Sequence, residues 1–77
     1  MPVYQFKRLS ADGRADTRAL ELEDASQARA VALRYFAGEV TGLVRHDPEC
    51  DDLRVQVTEG SRRTLFTIQL TVVEGAG

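Results

Sequence analysis

Residues 53–73 read Leu-Arg-Val-Gln-Val-Thr-Glu-Gly-Ser-Arg-Arg-Thr-Leu-Phe-Thr-Ile-Gln-Leu-Thr-Val-Val, and this stretch decides the fold. Leu53, Val55 and Val57 alternate with Arg54, Gln56 and Thr58, and Phe66, Ile68, Leu70 and Val72 alternate with Thr67, Gln69 and Thr71. A period of two marks a strand with one face in a core and the other face open. Between the two runs stands Glu59-Gly60-Ser61-Arg62, whose central Gly-Ser suits a tight type II′ turn. Closing a hairpin there predicts Val57 opposite Thr64, Val55 opposite Phe66 and Leu53 opposite Ile68. Pattern and turn agree, with expected strands over 53–58 and from 64 to about 73.

Upstream, Asp24-Ala25-Ser26-Gln27 reads as a helix start, Asp24 as N-cap and Gln27 at the reciprocal capping position. Ala28, Val31, Ala32, Tyr35 and Phe36 then fall on one stripe, while Ser26, Gln27, Ala30 and Arg34 face away. Small residues at 28 and 32 let a helix axis approach a sheet closely. The same wheel places Glu39 inside the apolar stripe, just after Gly38, so the regular helix is expected to stop at Ala37 or Gly38. An irregular turn over 40–44 is then expected to tuck Leu43 under the sheet edge.

The N-terminal segment supplies another pair of strands. Tyr4 and Phe6 alternate with Gln5 and Lys7 over 3–9, and Leu20 and Leu22 share a face over 17–22. Ala11-Asp12-Gly13-Arg14 is the turn. A two-residue turn would set Leu20 and Leu22 against the wrong face of Tyr4 and Phe6, so the loop must hold an odd number of residues, three or five. The expectation is an α+β chain in the order ββαββ: a four-stranded antiparallel sheet with one helix packed on one face. It forms a single domain over 1–77 with an ordered core of about 2–73.

Composition narrows the function classes. At 77 residues and 8.5 kDa the chain has room for one small core, burying about two-thirds of its unfolded surface. Hydrophobic content of 43% and charged content of 29% are ordinary globular values, which argues against disorder and coiled coil. No apolar run approaches the roughly 20 residues of a membrane helix. Met1-Pro2-Val3-Tyr4 lacks the opening of a secretory signal. A cytoplasmic protein without membrane partners is expected. A net charge of −2 and a pI near 5.3 give no general attraction to nucleic acid or anionic lipid. Cys50 stands alone, which rules out an internal disulfide.

Motifs of catalysis are thin. His46, Asp47, Glu49, Cys50, Asp51 and Asp52 are the one cluster rich in ligand atoms. His46 and Cys50 would share a metal only from a helix, and Pro48 stands between them. The carboxylates lack the spacing of a calcium loop. The cluster is expected to be a solvated acidic loop holding no metal. A Cys–His pair needs a geometry that closeness in sequence does not provide, and so small a domain offers little concave volume. Ser10, Ser26 and Ser61 sit at turn or cap positions, and Gly38 and Gly42 lack the Lys-Ser or Lys-Thr of a phosphate loop. No cofactor and no enzymatic activity are expected.

Surfaces carry the functional expectation. The last strand has no proline and no charge from Thr64 to Val73. If it lies at a sheet edge, its unpaired backbone groups invite another strand. A protein-interaction strip of Leu65, Thr67, Gln69, Thr71 and Val73 follows, with a second copy of the chain as the foremost partner, or else another protein. Leu33 with Ala30 and Ala37 is a smaller second surface. The alternative is weak nucleic-acid binding by Lys7, Arg54, Arg62 and Arg63, with Arg54 and Arg63 expected on the open sheet face. It lacks stacking aromatics, because the tyrosines and phenylalanines belong to the expected core.

The opening Met1-Pro2-Val3-Tyr4-Gln5-Phe6 and the segment Leu22-Glu23-Asp24-Ala25-Ser26-Gln27-Ala28-Arg29-Ala30-Val31-Ala32 together resemble a family of small proteobacterial proteins of unknown function. Its members begin Met-Pro-x-Tyr-x-Phe, turn through Asp-Gly, enter a Leu-x-Asp-x-x-x-Ala-x-x-x-Ala helix and end in a hairpin comparable to 53–70. The resemblance implies the same fold and a bacterial cytoplasmic setting, and it brings no catalytic residues. This chain differs from that pattern in its longer acidic loop over 47–52 and its Arg62-Arg63 pair.

Overall fold

The computed structural model describes residues 2–11, 13–60 and 63–75. Strands β1 (Val3–Ser10) and β2 (Ala15–Glu21) precede helix α1 (Ala25–His46), and strands β3 (Asp52–Glu59) and β4 (Arg63–Thr71) follow it. The four strands form one sheet in the order β2-β1-β3-β4, and every neighbouring pair is antiparallel. β4 is therefore an outer strand, and so is β2.

The first hairpin has the odd loop that its hydrophobic pattern demands. Ser10 N–H donates to Arg14 O at 3.1 Å, and Gly13 N–H donates to Ser10 O at 3.0 Å, leaving three residues between. Gly13 takes φ +85°, which a side chain would resist. The resulting register sets Tyr4 opposite Leu20 and Phe6 opposite Arg18.

The second hairpin corrects the expected pairing. Val57 lies opposite Phe66, Val55 opposite Ile68 and Leu53 opposite Leu70, while Glu59 pairs with Arg63. The expected Gly60-Ser61 turn is thus replaced by a longer connection, in which Ser61 and Arg62 lie outside the described residues. Between Thr58–Thr64 and Val57–Phe66 the register shifts by one, making Leu65 the extra residue of a β-bulge. A slip of two residues leaves every side chain on its face, so alternation alone cannot detect it.

α1 is also longer than its apolar stripe suggests. Asp24 Oδ1 accepts from Gln27 N–H at 2.8 Å, and Gln27 Oε1 accepts from Glu23 N–H at 2.7 Å, closing the expected reciprocal cap one residue early. The helix then runs through Gly38 and the expected irregular turn to His46. It stops where Pro48 disfavours helical backbone at Asp47, whose N–H closes on Leu43 O at 2.9 Å. Glu39 does not break it, because Arg8 on the helix-facing side of β1 places Nε 3.6 Å from Glu39 Oε2.

Ala28 and Ala32 are fully buried against Tyr4, Phe6, Val55 and Val57, with Leu22, Val31, Tyr35, Phe36, Phe66 and Ile68 partly buried around them. Phe6, 1% exposed, is the largest of the fully buried side chains. Phe6→Ala is expected to cost about 3–5 kcal/mol. Asp24→Ala should cost only about 1 kcal/mol through the lost cap. Urea unfolding followed by far-ultraviolet circular dichroism measures both, and equal losses would contradict this placement of the core.

Candidate functional site

An antiparallel ladder turns alternate residues' backbone groups toward each neighbour. Val72 N–H donates to Asp51 O at 2.9 Å, so counting back by twos Leu70, Ile68 and Phe66 face β3. Thr67, Gln69 and Thr71 therefore turn their own N–H and C=O outward, away from the sheet. On the opposite edge, the bonds Leu22 N–H to Pro2 O and Ser10 N–H to Arg14 O, each 3.1 Å, assign the even residues of β2 to β1. Ala15, Thr17, Ala19 and Glu21 turn outward there.

The two edges carry different side chains. β2 holds Asp16, Arg18 and Glu21, charges that discourage indiscriminate strand pairing. β4 carries no charge after Arg63. Thr67, Gln69 and Thr71 lie on the open sheet face, as expected, and Gln69 Nε2 donates to Thr71 Oγ1 at 3.1 Å and to Asp52 Oδ1 at 3.4 Å. The other two members of the expected strip are corrected. Leu65, displaced by the bulge, is half-buried and packs against the core. Val73 lies beyond the end of β4 and is 82% exposed.

On the helix side, β4 is flanked by apolar clefts. One is lined by Arg29, Leu33, Leu65, Phe66, Thr67 and Ile68. The other is lined by Val40, Leu43, Val44, Pro48, Cys50, Leu70 and Val72. Leu33, Val44 and Val72 are all exposed, so apolar surface follows much of the β4 edge. Cys50 is half-buried, and its thiol points to Asp52 O at 3.4 Å.

The basic residues do not gather as expected. Lys7 and Arg54 lie on the open face, and Arg54 Nη2 is 3.4 Å from Asp52 Oδ2. Arg63, opposite Glu59, falls instead on the helix-facing side, because the one-residue bulge at Leu65 inverts the alternation before it. Arg62 lies outside the described residues. Among the described residues, no three His, Cys, Asp or Glu side chains converge as a metal site would require. Nor is any helix among them long and apolar enough to cross a membrane.

One feature of the molecule had no counterpart in the expected sites. Between β2 and α1 opens a cleft of about 320 Å³ lined by Phe6, Arg18, Leu20, Val31, Arg34 and Tyr35. The Arg18 guanidinium sits 5.4 Å from the centre of the Tyr35 ring, a cation–π distance. The Tyr35 hydroxyl is shut from water and has no hydrogen-bond partner among the described residues. The sequence signal was an arginine at position 18 on the same alternating face as Leu20 and Leu22.

Fold and edges together define a small α+β module with two open strands. A family described as a domain of unknown function (DUF6894) matches residues 3–71, and the chain belongs to that family. Neither a curated protein nor a solved structure matches it.

Burial pushes the Tyr35 hydroxyl above its ordinary pKa of 10.0, and Glu39 and Asp16 push it further, while Arg18 and Arg8 pull the other way. Tyr4, the only other tyrosine, is raised mainly by burial, then by Glu59 and Asp24. A raised folded pKa stabilises the fold fully below the unfolded value, and the gain is lost as pH climbs through the folded one. The tyrosinate absorbance of the native protein should therefore have its midpoint above pH 10.0, with stability falling as pH climbs toward it. Glu39→Gln should move one of the two tyrosines downward. A native titration matching that of the urea-unfolded chain would contradict this.

Proposed function

We propose that the protein is a non-enzymatic interaction module of the bacterial cytoplasm that works as a homodimer joined along β4. The observation that carries this reading is an outer strand with outward-facing backbone at Thr67, Gln69 and Thr71 and no charge to keep another strand away. Pairing two copies antiparallel about a two-fold axis supplies those backbone groups with partners and continues the sheet from one protomer into the next. The helices of both protomers then lie on the same face of the joined sheet. Leu33, Val44 and Val72 stand along the seam, where the second copy shields them from water.

Nucleic-acid binding through Lys7, Arg54, Arg62 and Arg63 has weaker support, since among the described members only Lys7 and Arg54 share the open face and Asp52 sits against Arg54.

Thr67→Lys combined with Gln69→Lys should turn the dimer into a monomer with little change in circular dichroism. Light scattering on a size-exclusion column, over a tenfold concentration range with reductant present, measures it. A folded variant that stays dimeric rules out the β4 seam, and a wild-type protein that is monomeric throughout rules out the dimer.

A further inference from the structure

We infer that the β2–α1 groove is a docking site for an extended peptide segment bearing an apolar and an acidic side chain two residues apart. This deepens the interaction-module reading by naming a partner, and it rests on a different edge from the proposed dimer seam.

β2 offers the backbone of such a site. Ala15, Thr17, Ala19 and Glu21 turn their amides and carbonyls outward, so a segment laid alongside gains ladder hydrogen bonds without disturbing β1. The groove offers the selectivity. Alternate side chains of an added strand point toward the helix side, where Asp16, Arg18 and Leu20 stand in succession on β2. Behind them rises a wall of Val31, Arg34 and Tyr35 on α1, over a floor of Phe6.

Charge and polarity on these walls select the occupant. Among the described residues neither Arg18, which lies over the Tyr35 ring, nor Arg34 is ion-paired, so a carboxylate at this wall meets two guanidinium groups not already held by an acidic side chain. Leu20 is 43% exposed, and together with Val31 and Phe6 it forms an apolar seat one ladder step from Arg18. Asp16, one step the other way, suits a basic residue. An antiparallel partner thus reads apolar, acidic and basic at alternate positions.

The test uses a fluorescein-labelled peptide, Thr-Leu-Thr-Glu-Thr-Lys-Thr, followed by fluorescence anisotropy with the full chain. Saturable binding weakened by salt is expected. Arg18→Glu with Arg34→Glu should lower the affinity at least about tenfold, and a peptide carrying lysine in place of its glutamate should do the same. The decisive variant is Ala19→Pro. Its N–H faces away from β1, so the fold, checked by thermal unfolding, is retained while the added strand loses a donor and binding falls by a similar factor. Peptide binding unchanged in folded Ala19→Pro overturns the proposal, as does no binding at millimolar peptide. Octanoate displacing the peptide equally well from wild type and Ala19→Pro also overturns it, marking the cleft as a seat for small amphiphiles. Repeating the titration on the Thr67→Lys, Gln69→Lys variant separates the two ideas. Loss of the dimer with retained peptide binding sinks neither, whereas a dimeric wild type that binds no peptide sinks only this one.

Discussion

The close seat of α1 on the sheet, through Ala28 and Ala32, governs the rest of the molecule. With only methyl groups at its two fully buried positions, the helix comes down closely onto Tyr4, Phe6, Val55 and Val57, flanked by Val31, Tyr35 and Phe36. Those residues belong to β1 and β3, the two inner strands. A helix is about 10 Å across, whereas strands repeat about every 4.8 Å, so four strands set their outer members roughly 14 Å apart. One helix, whose backbone here lies nearest β3 and β4, cannot cover both outer strands. Grooves on its two flanks are therefore a consequence of the ββαββ order with a single helix.

What separates the two grooves is their chemistry. Along β4 the flank is mostly apolar, with Arg29 the one charged residue lining its two clefts, and the strand is uncharged beyond Arg63. Along β2 the flank carries Arg18 and Arg34, and the strand bears both signs of charge. An isologous contact brings each strand against its own copy. Threonines and a glutamine meet their like without repulsion, which favours β4 as the self-pairing edge. β2 meeting its own copy in a register centred on Arg18 would set arginine against arginine, a destabilising cross-strand pair. The same charges that discourage self-pairing give a different partner something to recognise.

Much of the fold was legible in local pattern, and the departures have physical causes. Alternation placed Leu53, Val55, Val57, Phe66, Ile68 and Leu70 on one face, and the observed ladder keeps them there. It could not fix the pairing, because a slip of two preserves every face, and it is the one-residue bulge at Leu65 that moves Arg63 from the open side to the helix side. Nor could it foresee the bulge that turns Leu65 inward. The wheel of α1 flagged Glu39 as an intruder on the apolar stripe, correctly, but the residue that accommodates it is Arg8, far away in sequence. Thr67, Gln69 and Thr71 were read on the open face and lie there. That their strand is an outer one depends on strand order, which hairpin signals leave undetermined. The β2 groove went unseen because Arg18 and Arg34 become neighbours only when a strand and a helix from separate parts of the chain meet.

The Arg8–Glu39 pair links this interior detail to the proposed seam. A carboxylate on the buried side of a helix is unfavourable unless a cation answers it, and Arg8 does so from β1 at 3.6 Å. With Glu39 accommodated, α1 continues for nearly two further turns, to His46. Those turns carry Val40, Leu43 and Val44, which form the cleft beside Leu70 and Val72 at the far end of β4. A helix ending at Gly38 would leave that end of the strand without a helical wall. One ion pair on the β1 side of the helix thus determines how far apolar surface extends along the β4 side. The length of the self-association surface is set by a contact that takes no direct part in it.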